Sequence, residues 1–151
     1  MENKAVVLNK FETIEKCINR INEEYENNPQ NLEDYRRMDM IVLNLQRAYE
    51  AVLDLAMYVV SNRKLGLPQN KREAFKLLEN DKIIDAQMSK NMQGMVGFRN
   101  IAVHDYKEIE EKILQDVIEN HLNDLLEFAR TILNLEMWKT ISNLANRREV
   151  K

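Results

Sequence analysis

The chain predicts an all-α fold, an up-and-down bundle of four to five main helices, and three observations carry that prediction. Glycine and proline together number five in 151 residues, against about 18 at average usage. Leu, Met, Ala, Glu, Lys, Arg and Gln fill most positions and β-branched runs are short and scattered, so propensity favours helix almost throughout. Apolar residues recur at three- and four-residue steps in every long segment, which marks a helix with one buried face. A chain of 151 residues suits a single domain, 1–151, long enough to bury a core without staples.

The first helix is expected over residues 4–27, with Leu8, Phe11, Ile14, Ile18, Ile21 and Tyr25 as its stripe. "NNPQN" (27–31) ends it, because Pro29 forces the residue before it out of the helical region. Asp34 or Asn31 caps the second helix, which runs to about 62. That helix is apolar from Met38 to Val60 over most of its circumference, with Leu43, Leu53, Met57 and Tyr58 widening the stripe. A helix of this kind is central to its bundle or packs on both a core and a partner. Arg47, Glu50 and Asp54 draw a narrow polar line along it. Two readings stand for that line: a solvated strip with an ordinary local ion pair, or groups supporting a nearby site.

"NRKLGLPQNKRE" (62–73) reads as a loop punctuated by Gly66 and Pro68. A short helix follows at about 71–80, with Ala74, Phe75, Leu77 and Leu78 as its apolar residues. Another begins near Asp81 or Asp85 and leads into "GFRNIAVHDY" (97–106). A last long helical region covers about 110–146 on Ile113, Val117, Leu122, Leu125, Ala129 and Ile132. Trp138 and Ile141 either extend it or pack as a C-terminal turn, so residues 138–151 form a tail with a possible extra helix.

The formal net charge of −3 argues against a protein that grips long nucleic acid by charge alone. Charge is uneven, with eight acids against three bases in 106–136 and four bases against one acid in 139–151. That basic end reads either as a solvated, fraying tail or as a phosphate-binding one. Cys17 is the single cysteine, which fits a reducing compartment. The first residues lack a signal-peptide core. The most apolar stretch, "AVLDLAMYVV" (51–60), is about half the span of a bilayer and carries Asp54. The expectation is a cytoplasmic protein with no membrane partner.

The chemistry-bearing cluster is Arg99, His104 and Tyr106. Met88, Met92, Met95, Arg99 and Ala102 follow one another at steps of four and three, a single line on a helix surface. A guanidinium on such a line cannot be neutralised and needs an anion or several acceptors. Gly94 and Gly97 precede it; they either admit another backbone or a ligand, or mark only local tolerance. Arg99 and His104 are five residues apart, roughly 140° around a straight helix, so they do not share a face. Convergence therefore needs the helix to end near Val103, or needs a second subunit to supply the missing partner. Asp105 is placed to cap whatever helix follows. Asn100 is a lesser candidate beside Arg99. His121 reads as a surface residue on the polar side of the last helix. One cysteine and two histidines without ligand spacing give no metal site, and no phosphate-cradling glycine loop or serine triad is visible.

"RNIAVHDY" matches Arg-x4-His-x-Tyr, and here the chain resembles the HepT-like toxins of the HEPN superfamily of ribonucleases. The likeness extends to "DMIVLNLQRAYEAVLDLAMYVV", "LGLPQNKREAFKLL" and "MVGFRNIAVHDY", covering 34–106 closely and the rest loosely up to about 137. The resemblance implies a HEPN-like bundle that forms a homodimer and brings two motif copies to one cleft. It also implies a metal-independent endoribonuclease without cofactor, acting on RNA, and paired as toxin with a MntA-like nucleotidyltransferase antitoxin. Carried over by position, Arg99 and His104 are the catalytic pair and Tyr106 is the residue that receives AMP or contacts substrate. Arg47, Glu50 and Asp54 remain secondary candidates. The competing reading from another class is a non-catalytic dimerising scaffold that kept the fold and lost the activity.

Overall fold

A computed structural model describes the backbone of residues 2–105 and 111–149 and the side chains of residues 4–97 and 111–146. Helix α1 spans Glu2–Tyr25. Glu26 and Asn27 then turn left-handed, at φ 51° and 54°, which no helix continues through. Asn28 is extended, as the following Pro29 requires. Its side chain accepts from the Gln30 amide at 3.1 Å and opens a 3-10 turn over Pro29–Glu33. Asp34 caps α2, Tyr35–Asn62, by accepting from the Arg36 amide at 2.9 Å.

α2 touches α1, the 3-10 turn, α3, α4 and α6, so its broad apolar surface does mark the centre of the bundle. Gly66, at φ 128°, takes the chain through a conformation other residues resist. α3 (Lys71–Asn80) starts with a reciprocal cap. Asn70 Oδ1 accepts from the Glu73 amide at 2.9 Å, and the Glu73 carboxylate accepts from the Gln69 amide at 3.1 Å. α4 (Ala86–Asp105) is opened by Asp85 rather than Asp81, its carboxylate accepting from the Met88 amide at 2.8 Å.

The sequence predicts one helix over 110–146, and the structure divides that region. α5 covers Glu111–Asn120 and α6 Leu122–Glu149, with His121 at the junction. Neither proline nor glycine marks the break, and the buried stripe Leu114, Ile118, Leu122 and Leu125 continues across it at helical steps. Two stripe assignments also shift by one position. Val7 is buried and Leu8 exposed in α1, while Leu114 is buried and Ile113 exposed in α5. Both slips fall in runs of adjacent apolar residues, where periodicity alone does not choose the inward one.

α6 lies against α1 and α2, and α3 packs on α4. Phe75 of α3 and Phe128 of α6 meet edge to face, centroids 5.6 Å apart, inside the core. Tyr25 at the end of α1 donates its hydroxyl to Glu119 of α5. Trp138 and Ile141 extend α6 and, with Met137 and Leu144, stay exposed instead of packing as a separate turn. No helix among the described residues is long and apolar enough to cross a membrane.

Candidate active site on the fourth helix

α4 carries Arg99, Asn100 and His104 in its last two turns. The helix holds to this point on an inward line: Met92 and Met95 are buried and Met88 packs against the core. Position 99 continues that line in register. The side chains of Arg99, Asn100 and His104 lie outside the described residues, and Tyr106 lies wholly outside them. The expected helix end near Val103 is not found: α4 runs unbroken through His104 to Asp105. Asp105 is thus the last residue of α4 rather than a cap for the next helix. With both positions on one helix, the roughly 140° between them persists.

The two glycines differ. Gly94 faces open space, with nothing near where a Cβ would stand. At Gly97 the same point is 3.5 Å from Arg72 Nη2, so the guanidinium of an α3 residue lies directly on α4. What comes close is therefore a side chain, not a backbone. Arg72 was not among the residues singled out from the sequence; its signal was the run of cations in "NKREAFK". Beside it an open groove of about 500 Å³ lies between α3 and α4, its polar lining Asn70, Arg72, Glu73, Lys76, Asn80 and Gln93, with Leu77 as its apolar residue. Gln93 is held by a hydrogen bond to Ser89 Oγ at 2.9 Å.

The polar line on α2 is turned to solvent. Arg47, Glu50 and Asp54 are exposed, and Asp54 pairs with Lys10 of α1 at 2.9 Å. Burial pushes the Cys17 thiol up, partly offset by the charge of Arg47, so this cysteine is protonated and inert at neutral pH. His121 is not a plain surface residue on a helix. Its ring nitrogens stand 3.2 Å from Asp116 of α5 and 3.2 Å from Asp124 of α6, fastening the junction between them. No group of three or more His, Cys, Asp or Glu among the described residues is placed to hold a metal ion.

Comparison with known proteins adds the context of this motif. Residues 14–132 match the family model described as ribonuclease HepT-like, a span that contains Arg99, His104 and Tyr106. The chain is 40% identical over 127 residues to the mRNA nuclease HepT of Shewanella oneidensis, covering 84% of this chain and 96% of that protein. Among solved structures, a toxin–antitoxin crystal structure with AMP-PNP superposes with a TM-score of 0.81 at 39% identity, covering 85% of this chain and 97% of the other. The tri-AMPylated Shewanella oneidensis HEPN toxin, solved in complex with the MNT antitoxin, superposes with a TM-score of 0.80 at 40% identity, covering 84% and 96%.

Proposed function

We propose that this chain, which belongs to the HepT-like ribonuclease family, is a cytoplasmic, metal-independent endoribonuclease and the toxin of a toxin–antitoxin pair. Its site forms between two copies of the chain. The observation that carries this reading is the Arg-x4-His-x-Tyr motif at the end of α4, inside the family-matched span, on a helix that continues past the histidine.

RNA carries its own nucleophile. The 2′-OH attacks the adjacent phosphorus, the P–O5′ bond breaks, and the product ends in a 2′,3′-cyclic phosphate with a free 5′-OH on the other fragment. A neutral imidazole takes the hydroxyl proton, and a protonated one gives a proton to the departing 5′-oxygen. A guanidinium holds the scissile phosphate by two hydrogen bonds and offsets charge growing on its oxygens. One His104 and one Arg99 are half of that set. A twofold pair supplies acid, base and a double phosphate clamp, and the angular separation of the two positions on α4 supports such sharing.

Tyr106 follows His104 by two residues, and we assign it the regulatory role that the AMPylated relative suggests. An adenylate there adds bulk and negative charge where substrate phosphate must lie, and offers Arg99 a competing anion. The partner that installs it is a MntA-like nucleotidyltransferase. Arg47 and Asp54 are assigned to the surface, given the Lys10 pairing and the exposure of both.

The test is cleavage of a single-stranded RNA in the presence of a chelator. Wild-type protein should cut it and leave 2′,3′-cyclic or 3′-phosphate ends, while His104→Ala and Arg99→Ala each lose about 10²–10⁴ in rate. Mixing the two inactive variants should restore part of the activity through mixed dimers. Products ending in 5′-phosphate would rule out attack by the 2′-OH. Equal inertness of folded, dimeric wild type and variants would leave the scaffold reading.

A further inference from the structure

We propose that the groove between α3 and α4 is a track for single-stranded RNA, in which Arg72 and Lys76 hold backbone phosphates next to the one being cut. This rests on the ribonuclease reading above. Residues 62–76 hold five bases, Arg63, Lys64, Lys71, Arg72 and Lys76, against one acid, Glu73. In a chain of net charge −3 that is a concentrated positive segment, and it lies on the helix packed beside α4.

Among the described residues, two of its cations are not cancelled by a carboxylate. The Glu73 carboxylate is turned to the Gln69 amide at 3.1 Å, serving the start of α3. Arg63 has Asp81 at 3.9 Å. Among the described residues, no ion pair engages Arg72 or Lys76. Arg72, Lys76 and Asn80 follow at four-residue steps on one exposed face of α3.

The groove is also aimed at the motif. Gln93, Gly97 and position 104 recur at four and seven residues along α4, the spacing of one helical face. Gln93 lines the groove and Arg72 lies on Gly97, so the cationic wall stands over the face of α4 to which position 104 belongs by register, two turns later. Seven residues of helix put Gly97 about 10 Å from His104 along the axis, the distance to a nearby phosphate rather than to the scissile one.

The lining favours RNA over a protein partner. Protein interfaces concentrate aromatic residues and methionine and are depleted in lysine, whereas Leu77 is the one apolar residue among those lining this groove. Local positive charge also resolves how an acidic protein approaches an anionic substrate: the field near the site matters, not the total.

The test uses full-length protein in the His104→Ala background, which binds without cutting, and a single-stranded RNA of about 12 nucleotides. Adding Arg72→Gln and Lys76→Gln should weaken binding about tenfold near 0.1 M salt and flatten the plot of log K against log salt by about 1.4, the value for two lost phosphate contacts. Both side chains are exposed, so the fold and melting temperature should hold. The charge-keeping pair Arg72→Lys and Lys76→Arg should retain affinity and slope. Lys16→Gln with Lys112→Gln, an equal charge loss elsewhere on the surface, should change both far less. An unchanged constant and slope in the groove variant would overturn the track while leaving the cleavage reading intact. So would intact RNA binding with weakened binding of the Shewanella MNT antitoxin, which would give the groove to a protein. Wild-type protein that neither cuts nor binds RNA would overturn the ribonuclease reading and the track together.

Discussion

The α1–α2 pair and the α3–α4 pair each have a cation that reaches from one helix to the other, and they treat it in opposite ways. Between α1 and α2, Lys10 meets the Asp54 carboxylate at 2.9 Å. Arg37 donates to the Glu24 carbonyl at 2.9 Å and sits near Glu26 and Asp34 as well. Between α3 and α4, Arg72 crosses to Gly97 while the carboxylate beside it is committed to a helix cap. A bridging cation that has its anion is finished and belongs to the scaffold. One that has none among the described residues is available to an outside anion, and here that cation stands beside the helix bearing the Arg-x4-His-x-Tyr motif.

The sharpest way to break the comparison is to detach one pair from the other. Phe75 is fully buried and meets Phe128 edge to face, tying α3 to α6. Phe75→Ala should destabilise the chain by about 3–5 kcal/mol, lowering the melting midpoint by on the order of 10 °C. If the α3–α4 pair were an appendage independent of the α1–α2 frame, the melt would instead split into two transitions.

A smaller effect is expected at the other end of the frame. Tyr25 is buried, and its hydroxyl donates to Glu119. Burial first, and then the Glu119 bond and charge, push its pKa up to about 12 from 10.0. The folded state therefore keeps this proton when the unfolded chain has lost it. The stability it contributes is complete below pH 10 and is lost as pH rises from 10 towards 12. Tyr25→Phe should cost about 1–2 kcal/mol at neutral pH and flatten the alkaline decline, read by denaturant melts at pH 8, 10 and 11. A decline as steep as that of wild type would assign the alkaline loss to other groups.

How far the sequence could be read follows from the same physics. The starts of α2 and α4 were each legible to within two candidate caps, Asp34 or Asn31 and Asp85 or Asp81, because a cap residue and the amides it serves are close in sequence. The centrality of α2 was legible because apolar residues occupy most of its circumference. The α5–α6 break was not, since no breaker residue marks it and the apolar stripe runs across it; His121, at the junction, stands 3.2 Å from both Asp116 and Asp124. At the site, Arg99, His104 and Tyr106 stood out as a cluster of chemistry-bearing residues, their roles came only from the resemblance to the HepT-like toxins, and the course of α4 beyond Val103 needed the structure. Arg72 was passed over because its meaning comes from Gly97, a residue 25 positions away in another helix. Sequence reasoning sees cations; it does not see which of them have been left without a carboxylate.

The smallest expected effect sharpens the contrast most, because it tests the cation that is finished. Lys10 and Asp54 keep 35% and 56% of their side-chain surface in solvent, where an ion pair is weak and salt-screened. Asp54→Asn should therefore cost no more than about 0.5 kcal/mol in a denaturant melt and leave RNA cleavage as it was. Retained stability with a many-fold loss of cleavage would mean that the polar line on α2 belongs to the site after all. Pairing would then fail as the criterion separating scaffold cations from working ones, and the assignment of Arg72 would have to stand on the RNA-binding measurements alone.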